Sequence, residues 1–226
     1  MSRGLGDVYK RQGFSQTMLA SWDKLDDESK KKFLKIIEDQ SNRLINLVEN
    51  MLSVTKLHSQ KENLIYKDVA IKPVLEMICS IVKNQYKDKK FVTEINACAS
   101  NILADKDKFQ QVMTNLIENA AKYGDENSTI TIKTNNCGEF VSIKVINDGI
   151  EIKECDYDKI FTKFSRIDNP LTRKVQGSGL GLYITKNLVE KMGGKISVIS
   201  NNCKNCFEVL MPASNIERQA REKCSQ

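Results

Sequence analysis

The sequence predicts an α+β architecture: a helical hairpin, then an α/β sandwich with helices on one face of a mostly antiparallel sheet. Three observations carry this. A heptad seam of apolar residues runs through the first third of the chain. Two cleanly alternating segments, STITIKT and FVSIKVI, flank a short turn. Helical and strand patterns mix without the strict strand–helix–strand repeat of a parallel sheet. A length of 226 residues suits one or two modest domains, and 40% hydrophobic with 28% charged residues is ordinary globular composition.

The elements follow in order. Asp7 to Gln12, DVYKRQ, looks like the translation of a transposon-end adapter used in sequencing libraries. Residues 1–12 are therefore expected to be non-native, the native sequence beginning mid-protein at Gly13; the alternative is a genuine basic terminus. Gly13 to Ser21 reads as the tail of a helix with Phe14, Met18 and, as a further candidate, Leu19 inward. After a polar connection, Asp26 or Asp27 caps a long helix. Along it Phe33, Ile37, Gln40, Leu44, Leu47, Met51, Val54 and His58 alternate in steps of four and three. Leu34, Ile45, Val48 and Leu52 form a second stripe. A wide apolar face after a short loop predicts a hairpin over 13–62, and two such hairpins complete a four-helix bundle by dimerising.

The pattern changes over 63–213. Leu64 to Val69 predicts a strand, and Val74 to Val82 a helix opened by Pro73. Phe91 to Ile95 and Asn101 to Leu103 predict strands, and Asp105 a cap for the helix that follows. Thr129 to Thr134 and Phe140 to Ile146 form the hairpin. A polar stretch, Asn147 to Gly177, leads to a helix from about Leu180 to Met192, stopped by Gly193 and Gly194. Lys195 to Ser200 and Cys206 to Leu210 are the last strands. Residues 214–226 read as a charged tail.

Composition narrows the function. The net charge of +6 comes mostly from Lys, but the basic runs are short and lack interleaved aromatics, which argues against nucleic acid. Seven Cys, scattered without a framework, point to free thiols in a reducing cytoplasm. Cys203 and Cys206 make a CxxC with no second pair at zinc spacing, and a turn between two strands explains it better than metal or redox work. No apolar run reaches membrane-spanning length.

Four motifs carry chemistry. In NLIENAAKYG, Asn115, Asn119, Lys122 and Tyr123 fall on one helical face, opposite Val112, Met113, Leu116, Ile117 and Ala120. Amide oxygens can ligate a hard cation and Lys122 can meet phosphate; alone, the row could equally be a solvated surface. Asn147-Asp148-Gly149-Ile150-Glu151-Ile152 follows a strand. Its side-chain acceptor and glycine suit a purine edge, or an ordinary turn. IFTKFSR, with Phe161, Phe164 and Arg166, could anchor a polar loop whose Arg reaches phosphate. Gly177-Ser178-Gly179-Leu180-Gly181-Leu182 opens a helix, where glycines and a helix N-terminus favour phosphate. It is no Walker A, since the terminal Lys-Ser/Thr is absent.

In this order and spacing the four motifs resemble the ATP-binding domain of sensor histidine kinases, in the superfamily that includes DNA gyrase B and MutL. The long helix ending LVENMLSVTKL resembles the second helix of their dimerisation and phosphotransfer domain. The resemblance implies an ATP-dependent kinase with Mg2+. Asn119 would hold the metal, with Asn115 beside it. Lys122 would contact phosphate, and Tyr123 would line the pocket with Asn147, Asp148, Gly149, Ile152 and Phe161. Arg166, with Arg173 or Lys174, would reach the γ-phosphate from a lid. Gly177, Ser178, Gly179, Leu180, Gly181 and Leu182 would fold over the triphosphate. Asn115 stands where related ATPases carry a Glu base, which favours a kinase over a hydrolase. The implied partners are a second copy, through the hairpin, and a response-regulator receiver domain. The implied location is cytoplasmic, with any membrane anchor upstream.

The sequence departs from the family's pattern in four places. Asn147 replaces the adenine-reading Asp, although Asp148 could substitute by a register shift. Glu151 replaces the second glycine of its box, a strain of about 1 kcal/mol or more if φ there is positive. The turn in NNCKNCF lacks its usual glycines. The acceptor His, which the family places before a Glu on the first bundle helix, is expected upstream of Gly13; His58, in KLHSQ, is no substitute. The alternatives are a non-catalytic nucleotide-binding or dimerisation module and an ATPase of the same superfamily.

Overall fold

Asp105 shows how the second half of the chain is anchored. Its carboxylate accepts the backbone N–H groups of Asp107 and Lys108 at 3.1 and 3.2 Å, capping the helix Lys106–Tyr123 (α4). It also accepts the N–H of Ile65 at 2.9 Å, which pins the chain that leads into the first strand. The computed structural model describes residues 13–58, 63–165 and 177–214. Contacts divide the chain into two compact units, 1–53 and 54–226.

In the first unit a helix over 13–21 (α1) is followed by a 3-10 turn, Trp22–Lys24, and the helix Asp27–His58 (α2). Asp26 accepts the N–H of Ser29 at 2.6 Å and so caps α2. The rings of Phe14 and Phe33 lie tilted with centroids 5.5 Å apart, and Met18 is buried, whereas Leu19, expected inward, is 82% exposed. Along the seam Phe33, Ile37, Gln40, Leu44 and Leu47 are half-buried, while Met51 is exposed. The second stripe, Leu34, Ile45, Val48 and Leu52, is between 52% and 57% exposed.

The second unit takes in the last turn of α2 from Val54, which packs against its core. Strand β1 (Lys67–Ala70) pairs antiparallel with β3 (Asn101–Ala104) in a small two-stranded sheet. Five strands form the main sheet: β2 (Lys90–Ile95), β4 (Thr129–Cys137), β5 (Phe140–Asp148), β6 (Lys195–Asn201) and β7 (Lys204–Pro212), in the order β2-β4-β5-β7-β6. Only β2 and β4 run parallel. Helices α3 (Ile71–Gln85), α4 and α5 (Gly181–Lys191) cover the sheet, with α4 central and in contact with both others.

The sequence alternation explains the packing. Ile130 and Ile132 of β4, Val141, Ile143 and Val145 of β5, and Phe207, Val209 and Met211 of β7 point inward. Opposite them, α4 presents Phe109, Val112, Met113, Leu116, Ile117 and Ala120, all buried. The apolar face read from the sequence is thus the buried one, and each large aliphatic contributes roughly 1.5–3 kcal/mol.

One expectation about strain changes. Glu151 is not among the residues at positive φ, so the glutamate in the glycine position carries no left-handed strain. The left-handed non-glycine residues lie elsewhere: Asn127, Phe164 (φ 60°) and, in the β6–β7 turn, Asn202 (φ 50°) and Cys203 (φ 59°). Such a two-residue turn matches the twist of the strands. Asn takes this conformation readily and Cys does not. The CxxC is therefore a turn followed by a strand, as expected.

Candidate functional site

The site forms where α4 ends, β5 ends and α5 begins. At the end of α4, Gly124 bridges antiparallel to Gly149, and Asp125 N–H donates to Asp148 O at 2.9 Å. These two glycines have a steric reason. A β-carbon at 149 would fall 2.6 Å from the carbonyl oxygen of Tyr123, and one at 124 would fall 2.7 Å from that of Ala120. The first two motifs thus touch backbone to backbone.

α5 meets α4 just as closely. A β-carbon at Gly181 would run into Asn115 Oδ1. The amide of Asn115 donates to Thr185 Oγ1 at 2.6 Å, one turn further along α5. A β-carbon at Gly177 would lie 3.1 Å from Tyr123 Oη and 3.4 Å from Lys122 Nζ. The polar row of α4 and the second glycine motif therefore form one wall. Gly179, at φ 70°, sits against Phe164 and Ser165, so the chain entering the segment 166–176 lies beside the chain leaving it. Phe161 is buried under Lys186, whose Nζ lies 5.8 Å from the ring centroid.

No side chain caps the N-terminus of α5 among the described residues, and Leu180 occupies the capping position. Ser178 Oγ accepts from Leu180 N–H at 3.3 Å. The first turn of α5 thus presents backbone N–H groups beside Asn115 and Lys122, an arrangement suited to an anion. Glu118, half-buried between Asn115 and Lys122 in sequence, has its carboxyl pushed up by burial, with Lys122 opposing. Among the described residues no group of three or more His, Cys, Asp or Glu could hold a metal.

The other wall is the end of β5. Asn147 continues the inward row of Val141, Ile143 and Val145 and is 2% exposed. Its amide donates to Asp148 O at 3.2 Å. Asp148 points to the opposite face, where its carboxylate lies 3.9 Å from Lys204 Nζ. The strand register therefore turns Asn147, not Asp148, toward the helices. Ile152 is buried beneath the loop. Arg166, Arg173 and Lys174 lie outside the described residues.

Comparison with known proteins agrees with this geometry. Residues 104–215 match the family described as histidine kinase-, DNA gyrase B-, and HSP90-like ATPases. The span begins just before the cap of α4 and runs through β7. These residues are a domain of that family. The chain is 34% identical over 173 residues to the sensor protein kinase WalK of Staphylococcus saprophyticus, covering 76% of this chain and 28% of WalK. It is 30% identical over 194 residues to the signal transduction histidine-protein kinase ArlS of Staphylococcus haemolyticus, covering 85% of this chain and 43% of ArlS. It thus spans less than half the length of these curated relatives. Among solved structures, histidine kinase ThkA in complex with the response regulator protein TrrA superposes with a TM-score of 0.73 at 25% identity, over 92% of this chain and 58% of ThkA. Acinetobacter baumannii histidine kinase AdeS gives 0.71 at 20% identity, over 92% of this chain and 96% of AdeS, a likeness of fold. The histidine-kinase ATPase fold expected from the four motifs is the fold found.

Sequence reasoning did not single out Thr185, Ser200, Asn205 or Tyr157. For Asn205 a signal existed: stepping back by two from Phe207 places it on the inner face of β7. Ser200 is its cross-strand partner on β6.

Proposed function

We propose that this chain is the ATP-binding catalytic core of a two-component sensor histidine kinase, passing the ATP γ-phosphoryl group to a histidine and onward to a response-regulator aspartate. The observation that carries it is the contact of Gly181 with Asn115, which sets the polar row of α4 against the uncapped start of α5.

The residues fit Mg·ATP. Magnesium bound to nucleotide takes few protein oxygens besides phosphates and waters. Asn119 is the proposed ligand, through its amide oxygen. When bound, the metal would neutralise phosphate charge during phosphoryl transfer. Lys122 supplies a fixed cation beside the same wall. The N–H groups of α5 orient the phosphates, Asn147 offers a buried carboxamide to the base, and Tyr123 lines the cleft. Arg166 and Arg173 are proposed as lid contacts to the γ-phosphate. Asn115 has no basic atom to activate water, which favours transfer over hydrolysis.

Homodimerisation through the hairpin is part of the proposal, supported by the exposed stripe Leu34, Ile45, Val48 and Leu52. No helix among the described residues is long and apolar enough to cross a membrane. His58, the only histidine, ends α2 and is followed by Ser rather than Glu, so the acceptor is proposed to lie on another segment.

Titration with a fluorescent ATP analogue is expected to show Mg-dependent binding, and its absence would sink the kinase reading in favour of a scaffold. With γ-labelled ATP the chain is expected to stay unlabelled until a separate hairpin bearing an acceptor His is added. Label retained on the chain itself, and lost when His58 is replaced, would overturn the acceptor assignment. Steady phosphate release without any acceptor would favour the hydrolase.

A further inference from the structure

The loop after β5 is held by side chains of the β6–β7 hairpin in a closed ring. Asn205 Nδ2 donates to Ile150 O at 3.0 Å. Ser200 Oγ donates to Asn205 Oδ1 at 2.7 Å and accepts from Ile152 N–H at 3.0 Å. The two peptide groups flanking Glu151 are thus gripped by one buried cross-strand pair, Ser200 and Asn205. Tyr157 Oη accepts from Ser200 N–H at 2.7 Å and lies 3.1 Å from Ser200 O, filling the open edge of β6 at this point. The carbonyl of the left-handed Cys203 accepts Gly149 N–H at 2.8 Å.

Asn147 and Asn205 are themselves register partners across β5 and β7. The ring therefore joins the base-facing end of β5 to the loop that closes over it. With a carboxamide rather than a carboxylate on this wall, recognition rests on neutral hydrogen bonds, which depend steeply on geometry and bind less strongly than charge-assisted ones.

We propose that Ser200 and Asn205 are positioning residues for purine recognition, holding the Gly149–Ile152 loop against the base through the peptide groups on either side of Glu151. The proposal rests on the nucleotide reading of the site. Neither residue touches the reacting atoms, so their loss acts on base binding and on discrimination between purines.

The test uses the whole chain with Ser200→Ala, Ser200→Thr and Asn205→Ala. Kd is measured for Mg·ATP and Mg·GTP, and hydrogen exchange at the Ile152 amide reports the ring directly. Ser200→Ala and Asn205→Ala are expected to speed Ile152 exchange, weaken ATP about tenfold and bring the ATP-to-GTP ratio closer to one. Ser200→Thr keeps the hydroxyl and is expected to restore both readouts. Should Asn205→Ala fail to fold, the Ser200 pair decides alone. Faster exchange with unchanged ATP affinity and purine ratio overturns the positioning role. Unchanged exchange overturns the ring itself. A wild-type chain that binds neither nucleotide sinks the underlying site, and the proposal with it; binding that is indifferent to all three variants sinks the proposal alone.

Discussion

α4 and α5 lie side by side, joined by the Asn115–Thr185 hydrogen bond, yet they treat their N-termini in opposite ways. At α4, Asp105 accepts from two N–H groups of the first turn and from Ile65 as well. At α5, an apolar Leu180 stands in the capping position with no side-chain cap, and glycines crowd the approach. Every helix start leaves unsatisfied donors and a partial positive charge. One end is satisfied by the protein itself, and its helix is anchored; the other carries no side-chain cap and is, in the proposed function, the end that meets the phosphates. On that proposal the same local physics serves structure at one helix start and recognition at the other.

The sharpest way to break the contrast is Gly181→Ala. Its β-carbon would meet Asn115 Oδ1, so α5 must retreat or Asn115 must give up Thr185. The expected loss is about 1–3 kcal/mol of stability, typical of overpacking, with ATP-analogue binding weakened by at least about tenfold. Denaturant unfolding and titration measure the two. Unchanged binding would mean that α5 does not face the nucleotide.

Asp105 comes next. Asp105→Ala is expected to destabilise the fold by about 1 kcal/mol with little direct effect on nucleotide contacts. Burial works to raise its carboxyl, but the N–H groups of Ile65, Lys108 and Asp107 outweigh that and hold it below its ordinary value of 3.8. A depressed acid stabilises the fold above its unfolded pKa, and that contribution disappears as pH falls through the folded value. Asp105→Asn keeps an acceptor without the charge. Its stability gap from wild type, read from unfolding midpoints, is expected near neutrality and to close on acidification below about pH 4. A gap constant across that range would remove the charge from the account.

The two helix ends were also unequally legible in the sequence. Asp105 could be read as a cap because the evidence is local: an acidic residue just before an amphipathic run. The polar row of α4 was legible for the same reason, since a period of 3.6 fixes which residues share a face. The strand alternation likewise gave the inner face of β5. The partners of those residues were not legible. That Asn115 bonds Thr185, that Ser200 and Asn205 grip the loop around Glu151, and that Asp148 turns outward all depend on strand register and helix docking between segments tens of residues apart. Glu151 is the clearest case. A non-glycine residue at a glycine position predicts strain, whereas the folded loop needs no positive φ there, and the left-handed residues lie in other turns, among them Phe164 and Cys203.

A third variant would make α5 resemble α4. Ser178→Asp puts a carboxylate where Ser178 Oγ already accepts Leu180 N–H, so the helix end would gain an internal anion. A few tenths of a kcal/mol of added stability without nucleotide is expected, up to about 1 kcal/mol. ATP is expected to bind about tenfold more weakly, because its phosphates would meet a like charge at the helix N-terminus. Equal losses for ATP and adenosine would place the phosphates elsewhere.

The smallest effect is expected at Glu118, on α4 between Asn115 and Lys122. Burial raises its carboxyl above the ordinary 4.5, and Lys122 only partly offsets this. The sign is the reverse of that at Asp105. A raised acid lends its stability below the unfolded pKa and loses it as pH rises through the folded value. Glu118→Gln is therefore expected to match or exceed wild-type stability near neutrality, by about a few tenths of a kcal/mol, and to fall behind as pH drops through the raised folded value toward about 4.5, with no further change below that. Removing the carboxylate also leaves Lys122 with one less negative neighbour, so Mg·ATP affinity is expected to rise by about twofold to threefold at low salt and to converge with wild type as salt is added. A loss of affinity instead would mean that Glu118 helps to place Lys122, and that the cation wall, like the loop after β5, depends on a side chain that never touches the nucleotide.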